Sequence, residues 1–389
     1  MLSAANVTSC SPKNESTLPG IEFSVQDLPS HETLSELWRE LEMRSDTSFF
    51  VSWSWIGTWL RCLPRRIRPQ LLAGTSQGRI VCLGVLVRNL VRRRLMVRSD
   101  ALFLNACGEQ RFDEITIEHN GVLVDREFAA VVWPRLVRFF VEQQQGWDEI
   151  HLPGVDAAGQ WLEAVGEQVS VQYKVRDCHH VDLNKVRTRQ GGYLALLSGN
   201  TRSKIRRSIR EYEGLGPLSL AVATNLHDAR RYFGRLKTLH QAYWTDRGEP
   251  GSFANRFLDE FHEQLIQNCF ERGEIQLCAL TAGSREIGYL YNFVHRGRVS
   301  NYQSGLSYVV CGAQNRPGLV AHSLAVQWNA DHGHLVYDFL AGTQRYKESL
   351  GTDRESMTWA VLQRDLAKFR LESTMRAMKD NLAARLRRR

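Results

Sequence analysis

The sequence predicts an α/β protein of the α+β kind, with two tandem domains that each place a central mixed sheet against flanking helices. Its 389 residues fit two domains of roughly 150–200 residues. Apolar residues recur at helical spacing in some segments and alternate as in strands in others. A strand–turn–strand pattern that starts at Leu71 returns at Leu277, about two hundred residues later, which indicates a duplicated domain rather than a short repeat.

Changes in composition set the predicted domain limits. Residues 1–20 are polar and rich in Ser, Thr and Asn, so we expect a disordered tail. Residues 21–178 and 179–366 form the predicted N-terminal and C-terminal domains, and catalysis is assigned to the second. Residues 367–389 form a predicted basic helix or tail.

Two short helices open the N-terminal domain. The first begins at Pro29-Ser30, and the second has a heavily aromatic face and stops at Pro64. Phe128 begins a long predicted helix that closes near Gly146. The other predicted elements are a helix at residues 161–165 and strands at residues 71–73, 80–87, 94–97, 102–104, 150–152 and 169–173.

The C-terminal domain repeats this plan with more helix. Its clearest feature is a three-strand meander, because two short Gly-containing linkers separate three apolar segments. Predicted strands lie at residues 218–223, 275–281, 287–295, 299–306, 335–340 and 357–362. Predicted helices lie at residues 193–198, 202–213, 229–244, 254–272 and 317–328, and a short one surrounds Tyr346.

Composition excludes several classes of protein. No apolar run approaches the eighteen or so residues needed to span a bilayer, and the N-terminus lacks the basic and apolar regions of a secretory signal. The eight Cys include no CxxC pair, and several lie in apolar runs. We therefore expect a cytoplasmic protein with reduced thiols, no disulfide framework and no metal site.

The net charge of +8 is concentrated in three places. Such basic patches suit polyanions, namely the phosphates of CoA, RNA or an anionic membrane surface. A solvated helix face is the alternative for each patch. The patches are Arg88, Arg92, Arg93, Arg94 and Arg98; Arg202, Lys204, Arg206, Arg207 and Arg210; and the tail from Arg376 to Arg389.

The segment Leu335–Gly351, which reads LVYDFLAGTQRYKESLG, is the centre of the functional prediction. Asp338 interrupts an apolar strand, and a carboxylate in that position costs free energy unless it is paired or used. The end of a strand just before a helix is also where α/β folds place chemistry. Two interpretations of Asp338 stay open at this point: a structural ion pair or turn cap, and a functional group.

Three segments and the order of elements resemble a known family. The order of elements in the C-terminal domain is that of a GNAT acyltransferase. Phe49–Trp55, FFVSWSW, resembles the PF-x-S-x-x-W motif of the CelD, or cellulose-biosynthesis, acetyltransferases. Asp338–Gly342, followed by Tyr346-Lys347, resembles their DFL-x-G-x-x-x-YK motif, and Arg202–Arg210 resembles their Arg-rich helix. The resemblance covers residues 21–363 and implies two tandem GNAT-like domains.

The resemblance also implies a donor site for acetyl-CoA or another acyl-CoA. A CoA pyrophosphate needs N–H donors at a helix N-terminus, and the helix that opens at Pro317 stands where a GNAT fold places them. Arg316, Pro317, Gly318 and Leu319 are therefore the predicted cofactor-binding residues. The segment Gln314–Leu319 departs from the usual Gly-rich signature, so an ordinary helix start is the alternative.

Acyl transfer to an amine further needs a base, an acid and an acceptor site. We predict Asp338 as the base, with a pKa raised by an apolar cleft, and Tyr346 as the acid that protonates the departing thiolate. His322, His332 and His334 are rival bases, and a packed aromatic is the alternative for Tyr346. The predicted substrate-binding residues are Trp244, Arg247, Tyr302, Gln303 and Lys347.

The expected function is N-acylation, with acetyl as the simplest acyl group. The acceptor implied by the resemblance is an amine of a sugar, a polysaccharide precursor or a small metabolite. One alternative is a Fem-type peptidyltransferase, which shares the double-GNAT architecture and takes its acyl group from aminoacyl-tRNA. The other is a non-catalytic scaffold or nucleic-acid-binding module with a lapsed GNAT site.

Overall fold

The computed structural model describes residues 18–93, 97–156, 162–166, 168–310, 316–342 and 344–375. Most of the predicted N-terminal tail and the arginine-rich residues 376–389 lie outside the described residues. So do Trp161 and the pair Gln314-Asn315, which precedes the predicted donor helix. No helix in the described part of the chain is long and apolar enough to cross a membrane.

Within the described residues, one 13-stranded mixed sheet runs through both halves of the chain. The strands are β1 Glu22–Asp27, β2 Pro69–Ser76, β3 Arg79–Arg92, β4 Arg98–Leu104, β5 Leu123–Val124, β6 Glu149–Val155, β7 Val169–Asp182, β8 Leu218–Val222, β9 Ile275–Ala282, β10 Arg285–His295, β11 Arg298–Leu306, β12 Val336–Ala341 and β13 Asp353–Arg364. Their spatial order is β1-β2-β3-β4-β6-β13-β7-β12-β11-β10-β9-β8, and β5 pairs with β3.

Helices flank the sheet. Within the described residues they are α1 His31–Met43, α2 Trp53–Cys62, α3 Gln110–Asp113, α4 Val132–Arg138, α5 Leu183–Thr188, α6 Gly192–Leu196, α7 Gly199–Glu213, α8 Leu226–Thr245, α9 Arg256–Cys269, α10 Pro317–Asp331 and α11 Arg345–Leu350. The predicted helix starts are confirmed at α1, where the Ser30 side chain accepts a hydrogen bond from the Thr33 N–H, and at α10, which begins with Pro317.

The two halves repeat one plan, as the sequence predicts. In each, four antiparallel strands are followed by a strand parallel to the fourth: β6 beside β4, and β12 beside β11. The three predicted hairpins are confirmed: β2–β3 turns at Gln77-Gly78, β9–β10 at Gly283-Ser284 and β10–β11 at Arg296-Gly297. This architecture confirms the predicted fold class.

The halves exchange their last strands. β13 comes from the end of the chain but lies between β6 and β7, while β7 lies between β13 and β12. β7 and β13 pair along 12 residues each, from Val169 opposite Arg364 to His180 opposite Asp353. The predicted boundary between residues 178 and 179 therefore falls inside β7, a strand that both halves share.

α3 and β5 were not predicted, and most of the predicted strand at residues 94–97 lies outside the described residues. The N-terminal half departs from the predicted elements in three further ways. The long predicted helix is divided into a 3-10 turn at Arg126–Phe128, α4 and a π-helical turn at Phe139–Gln143, because Pro134 fits only in the first turn of a helix. β1 was not predicted, since Phe23 and Val25 are too few to establish a pattern. β7 extends nine residues beyond its predicted end at Tyr173. These additional residues are mostly polar, and pairing with the neighbouring strands keeps them extended.

Aromatic side chains join the two halves. Phe49 stacks on Phe293 of β10 with ring centroids 4.5 Å apart, and Trp55 contacts Phe261 of α9 at 4.8 Å. These residues belong to one continuous core that draws on both halves. Because burial of such rings contributes most of the association energy in a core, the N-terminal half is held firmly against the C-terminal sheet.

Candidate active site

The strands β11 and β12 diverge, and a cleft opens between them. They pair only from Arg298 opposite Val336 to Ser300 opposite Asp338. Beyond that point β11 continues to Leu306, and a cleft of about 820 Å³ occupies the gap. Of the predicted site residues, all except Asp338 and Arg247 line this cleft: Trp244, Tyr302, Gln303, Arg316, Pro317, Gly318, Leu319, Tyr346 and Lys347.

The N-terminus of α10 forms one end of the cleft. Arg316 precedes the helix, and Pro317 is its first residue. The first N–H groups of a helix have no partner within the helix, and the helix dipole makes this end attractive to anions. A Cβ on Gly318 would lie 3.2 Å from the Leu306 side chain, so α10 approaches β11 closely here.

Tyr346 and His322 stack face to face inside the cleft. Their ring centroids are 5.4 Å apart and their planes 9° apart. Burial raises the pKa of Tyr346 to about 12, so its phenol is protonated at neutral pH. Burial lowers the pKa of His322 to about 3, which makes this imidazole a weak base. His332 and His334, the other rival bases, lie outside the cleft.

The predicted rise in the pKa of Asp338 is wrong. Burial alone would raise the pKa of this fully buried carboxyl, but the His119 hydrogen bond and the charges of His119 and Arg298 hold the pKa well below its usual range. His119 Nε2 lies 2.9 Å from Asp338 Oδ2, and Arg298 donates to the same oxygen at 3.1 Å. Cys178 Sγ donates to Oδ1 at 3.1 Å.

Asp338 instead shapes the backbone that forms the cleft wall. Its Oδ1 accepts the N–H of Leu340 at 2.7 Å, and β12 is irregular between Asp338 and Ala341. Leu340 has a φ of +59°, a conformation that costs a non-glycine residue about 1–2 kcal/mol. The side chain of Lys347 donates to the carbonyl oxygens of Leu340 at 3.2 Å and Ala341 at 2.7 Å, so both ends of this distorted turn are held.

Behind this wall lie four residues of the types that bind metal ions: His119, Cys178, Asp338 and Glu355. One possible ligand atom from each lies within 4.8 Å of the others. Positive charge is already present among them. Arg298 donates to Glu355 at 2.6 Å as well as to Asp338. Burial would lower the pKa of His119, but its hydrogen bonds to Asp156 and Asp338 raise that pKa well above the usual range. We interpret the group as a charge-compensated ion-pair network.

Glu118 is one of the cleft residues that the sequence analysis did not single out. It comes from the N-terminal half, is 8% exposed, and accepts the N–H of Ala341 at 2.7 Å. Burial raises the pKa of Glu118 to about 7, although the Ala341 N–H and the charge of Lys347 oppose the rise. The sequence signal was the alternation of Glu114, Ile115, Thr116, Ile117 and Glu118, which places polar side chains on one face and apolar ones on the other.

The segment that carries Glu118 is tied to β11. The Tyr302 hydroxyl donates to the Ile115 carbonyl oxygen at 2.6 Å, and burial raises the pKa of Tyr302. Ile115 and Ile117 are buried. Tyr302 thus positions the opposite wall of the cleft as well as lining it.

Aromatic residues surround the mouth of the cleft. Trp244 lines it and is 37% exposed, in contact with Tyr243 at a ring distance of 5.5 Å. Arg247 does not line the cleft: its guanidinium lies 3.6 Å from the centre of the Tyr243 ring. Arg247 therefore supports the mouth from outside.

A chain of buried amides holds the floor of the cleft. Asn301 on β11 donates to Asn292 on β10 at 2.8 Å, and Asn292 donates to Gln276 on β9 at 2.8 Å. Gln276 then donates to Asn329 on α10 at 2.9 Å. Because an unpaired buried amide is costly, this chain fixes the position of α10 relative to the three strands.

Residues 199–348 match the model of the family described as acetyltransferase (GNAT) domain. The matched segment lies in the C-terminal half and covers less than half of the chain. No curated protein matches the chain in a sequence comparison. The matched GNAT segment holds α10, β12, Tyr346 and Lys347, whereas Glu118 lies outside it.

Several solved structures have a similar fold. FemX has a TM-score of 0.54 at 10% sequence identity, over 87% of this chain and 96% of FemX. The C-terminal domain of a protein described as lysylphosphatidylglycerol synthetase, from Agrobacterium fabrum, has a TM-score of 0.50 at 11% identity, over 89% of this chain and 96% of that one. A tandem GNAT protein from the clavulanic acid biosynthesis pathway has a TM-score of 0.43 at 11% identity, over 87% and 98%. At these identities the first two similarities show a shared fold.

Proposed function

We propose that the protein is an N-acyltransferase that moves an acyl group, in the simplest case acetyl, from acyl-CoA to an amine. GNAT domains use acyl-CoA as co-substrate. The observation that carries the proposal is the meeting, in one cleft, of the α10 N-terminus, the protonated phenol of Tyr346 and the Glu118 carboxyl with its pKa near 7.

The donor binds at the α10 end of the cleft. The free N–H groups of the first turn and the Arg316 side chain receive the pyrophosphate of CoA, as anions at helix N-termini are usually bound. The thioester then extends between β11 and β12, where the strands no longer pair. Tyr302, Gln303 and Trp244 contact the acyl group and the acceptor.

Glu118 is the general base in this proposal. It accepts a proton as the amine nitrogen attacks the thioester carbon, the C–N bond forms and the C–S bond breaks. Tyr346 donates its proton to the departing thiolate, which leaves as the CoA thiol. A carboxyl with a pKa near 7 suits this task at neutral pH, since the ideal base has a pKa close to the working pH.

Asp338 is a positioning residue in this scheme. Its carboxylate accepts the Leu340 N–H and so fixes the turn at Leu340 and Ala341. From this turn the Ala341 N–H donates to Glu118, and the carbonyl oxygens of Leu340 and Ala341 accept from Lys347. Its side chain does not line the cleft.

The acceptor is an amine of a sugar, a polysaccharide precursor or a small metabolite. The resemblance of Phe49–Trp55 and Asp338–Lys347 to the CelD group supports this class. The free thiols of buried Cys82, Cys178 and Cys278 support the predicted cytoplasmic location. Contact of the basic patches with RNA or an anionic membrane stays a prediction, and the tail that would contribute most to it lies outside the described residues.

A second candidate is transfer from aminoacyl-tRNA, as expected for a Fem-type peptidyltransferase. The similarity to FemX and the exposed Arg206, Arg207 and Arg210 of α7 favour it. The exposed arginines equally suit the phosphates of CoA or a solvated face, so the donor has to be tested directly.

Comparison of donors decides between these functions. Acetyl-CoA, longer acyl-CoAs and charged tRNA are each offered to the protein with a mixture of amines, and release of free thiol or deacylated tRNA is followed. Calorimetry with the same donors measures binding separately. We expect heat and thiol release with acyl-CoA. Binding and turnover only with charged tRNA would move the protein to the second candidate, and neither with any donor would leave a non-catalytic scaffold.

A further inference from the structure

One wall of the cleft is acidic and comes from the N-terminal half. We call Glu114, Thr116 and Glu118 the acidic wall, since all three line the cleft. Among the described residues, neither carboxylate has a Lys, Arg or His partner in a salt bridge. Glu118 is 8% exposed. Among the described residues, its Oε2 accepts one hydrogen bond, from the backbone N–H of Ala341.

The acidic wall lies at the opposite end of the cleft from the proposed phosphate site. Tyr302 bonds to Ile115 inside the wall segment, whereas Leu306 contacts Gly318 at the start of α10. Four residues of β11 separate these two contacts, a distance of about 13 Å along an extended strand. The cleft therefore has a cationic end, with Arg316 and the helix N-terminus, and an acidic end.

The charge of the nearest ammonium group, Lys347, acts on Glu118, but Lys347 makes no salt bridge with either carboxylate of the acidic wall within the described residues. Lys347 lines the cleft, but its Nζ is directed to the carbonyl oxygens of Leu340 and Ala341. Glu114 accepts hydrogen bonds from the neutral amides of Asn255 at 2.6 Å and Gln110 at 3.2 Å. Glu118 is buried and Glu114 is exposed to solvent, and two carboxylates that line one cleft attract cations and repel anions.

We propose that the acceptor is a small molecule with two ammonium groups, one of which reacts at Glu118 while the other pairs with Glu114. This inference rests on the proposed function and names the class of its second substrate. Glu114 and Glu118 are four residues apart, so their Cα atoms lie at most about 14 Å from each other. The separation of the two carboxylates also depends on the length and direction of the side chains. Acceptors with phosphate or carboxylate groups, such as sugar nucleotides, are disfavoured by the same wall.

A series of primary alkyl amines of equal length tests this proposal. The far end of each amine carries an ammonium, a hydroxyl or a carboxylate, and kcat/KM is measured for each with saturating acyl-CoA. We expect the ammonium end to be preferred over the hydroxyl end by about fivefold, the usual limit for one partly exposed ion pair, and the carboxylate end to be the poorest. Equal values for the ammonium and hydroxyl ends would overturn the proposal.

The variant Glu114→Gln removes the second carboxylate. We expect the ratio of kcat/KM between the ammonium-ended and hydroxyl-ended amines to fall to about one, while Glu271→Gln, an exposed change outside the cleft, keeps the wild-type ratio. An unchanged ratio in Glu114→Gln would contradict the assignment.

Calorimetry separates a failure of this inference from a failure of the proposed function. If acyl-CoA gives neither heat nor turnover, the acyltransferase function is wrong. Binding of the diamine alone, weakened about fivefold in Glu114→Gln, would still support the acidic wall as a diammonium site, and no binding would overturn it.

Discussion

The two halves of the molecule share one strand plan but treat the gap between their parallel strands in opposite ways. In the N-terminal half, β4 and β6 pair over only three residues each, Ala101–Phe103 and Glu149–His151. The gap between the two strands beyond these residues is closed. The Asn120 side chain donates to the Leu104 carbonyl of β4 at 3.1 Å and to the Pro153 carbonyl of β6 at 2.9 Å. In the C-terminal half the corresponding gap between β11 and β12 is the open cleft.

This difference shows how a duplicated domain can divide its work. The segment that closes the N-terminal gap through Asn120 also presents Glu118 to the C-terminal cleft, two residues earlier. Closing one site therefore builds a wall of the other. In the proposed function, the C-terminal half provides the donor end of the cleft, and the N-terminal half provides the acidic wall at the acceptor end.

The strongest test of this division is Glu118→Gln. The amide keeps the shape and can still accept the Ala341 N–H, but it cannot take a proton, so we expect kcat to fall by roughly 10²–10⁴ with acyl-CoA binding retained. Turnover of a saturating amine and calorimetry with acyl-CoA measure the two quantities.

The matched control is Glu127→Gln, an exposed carboxylate of the N-terminal half outside the cleft. Nearly normal turnover in Glu118→Gln would mean that the N-terminal half contributes no chemistry.

Asp338→Asn tests whether the C-terminal wall depends on position or on proton transfer. The substitution leaves His119 and Arg298 without their shared carboxylate, and removing one partner of a buried ion pair costs about 3–5 kcal/mol. We expect the free energy of unfolding in urea to fall by this amount and activity to fall with it. Full stability with no turnover would instead return Asp338 to a chemical role.

Asn120→Ala reopens the closed gap of the N-terminal half. The Leu104 and Pro153 carbonyl groups lose their donor, and each buried polar group left without a partner costs about 1–3 kcal/mol. We expect a loss of about 2–3 kcal/mol in the free energy of unfolding, and a lower kcat with an unchanged KM for acyl-CoA, because Glu118 moves and α10 does not.

Asn89→Ala serves as its control, since Asn89 donates to the Cys107 carbonyl of the same half at 3.0 Å away from the cleft. A rise in the KM for acyl-CoA in Asn120→Ala would show that the closed gap also supports the donor end.

The pH dependence of catalysis tests Glu118 without a substitution. Only ionised Glu118 acts as a base, so kcat/KM should fall tenfold for each pH unit below a pKa of about 7. Lys347, Asp338 and His119 are the charged groups that face Glu118. A profile that stays level from pH 8 to pH 5, measured in acyl transfer, would exclude Glu118 as the base.

Stability has the opposite pH trend for the same group. The folded pKa of Glu118 is raised above its unfolded value of 4.5, so its contribution is fully present below pH 4.5 and is lost as the pH rises through about 7. Each pKa unit corresponds to about 1.4 kcal/mol. The wild type should lose this stability relative to Glu118→Gln between pH 5 and pH 8 in urea titrations.

Most elements of the C-terminal half could be predicted from the sequence. The meander, the Pro317 helix start and the strand–turn–helix unit of residues 335–351 are encoded by patterns in neighbouring residues, so each could be predicted. The contacts inside that unit are local as well: Asp338 bonds to Leu340, and Lys347 bonds to Leu340 and Ala341. Local periodicity and turn chemistry are sufficient for such elements.

Three features depend on contacts between distant parts of the chain: the exchange of β7 and β13, the closing of one gap, and the pKa values of Asp338 and Glu118. The pKa of Asp338 depends on His119, 219 residues earlier in the chain, and the pKa of Glu118 depends on burial against β12. Ionisation responds to desolvation and to charges a few ångströms away, whatever their distance along the chain. A sequence pattern that identified Asp338 as a buried carboxylate could therefore not show that Glu118, rather than Asp338, has the raised pKa.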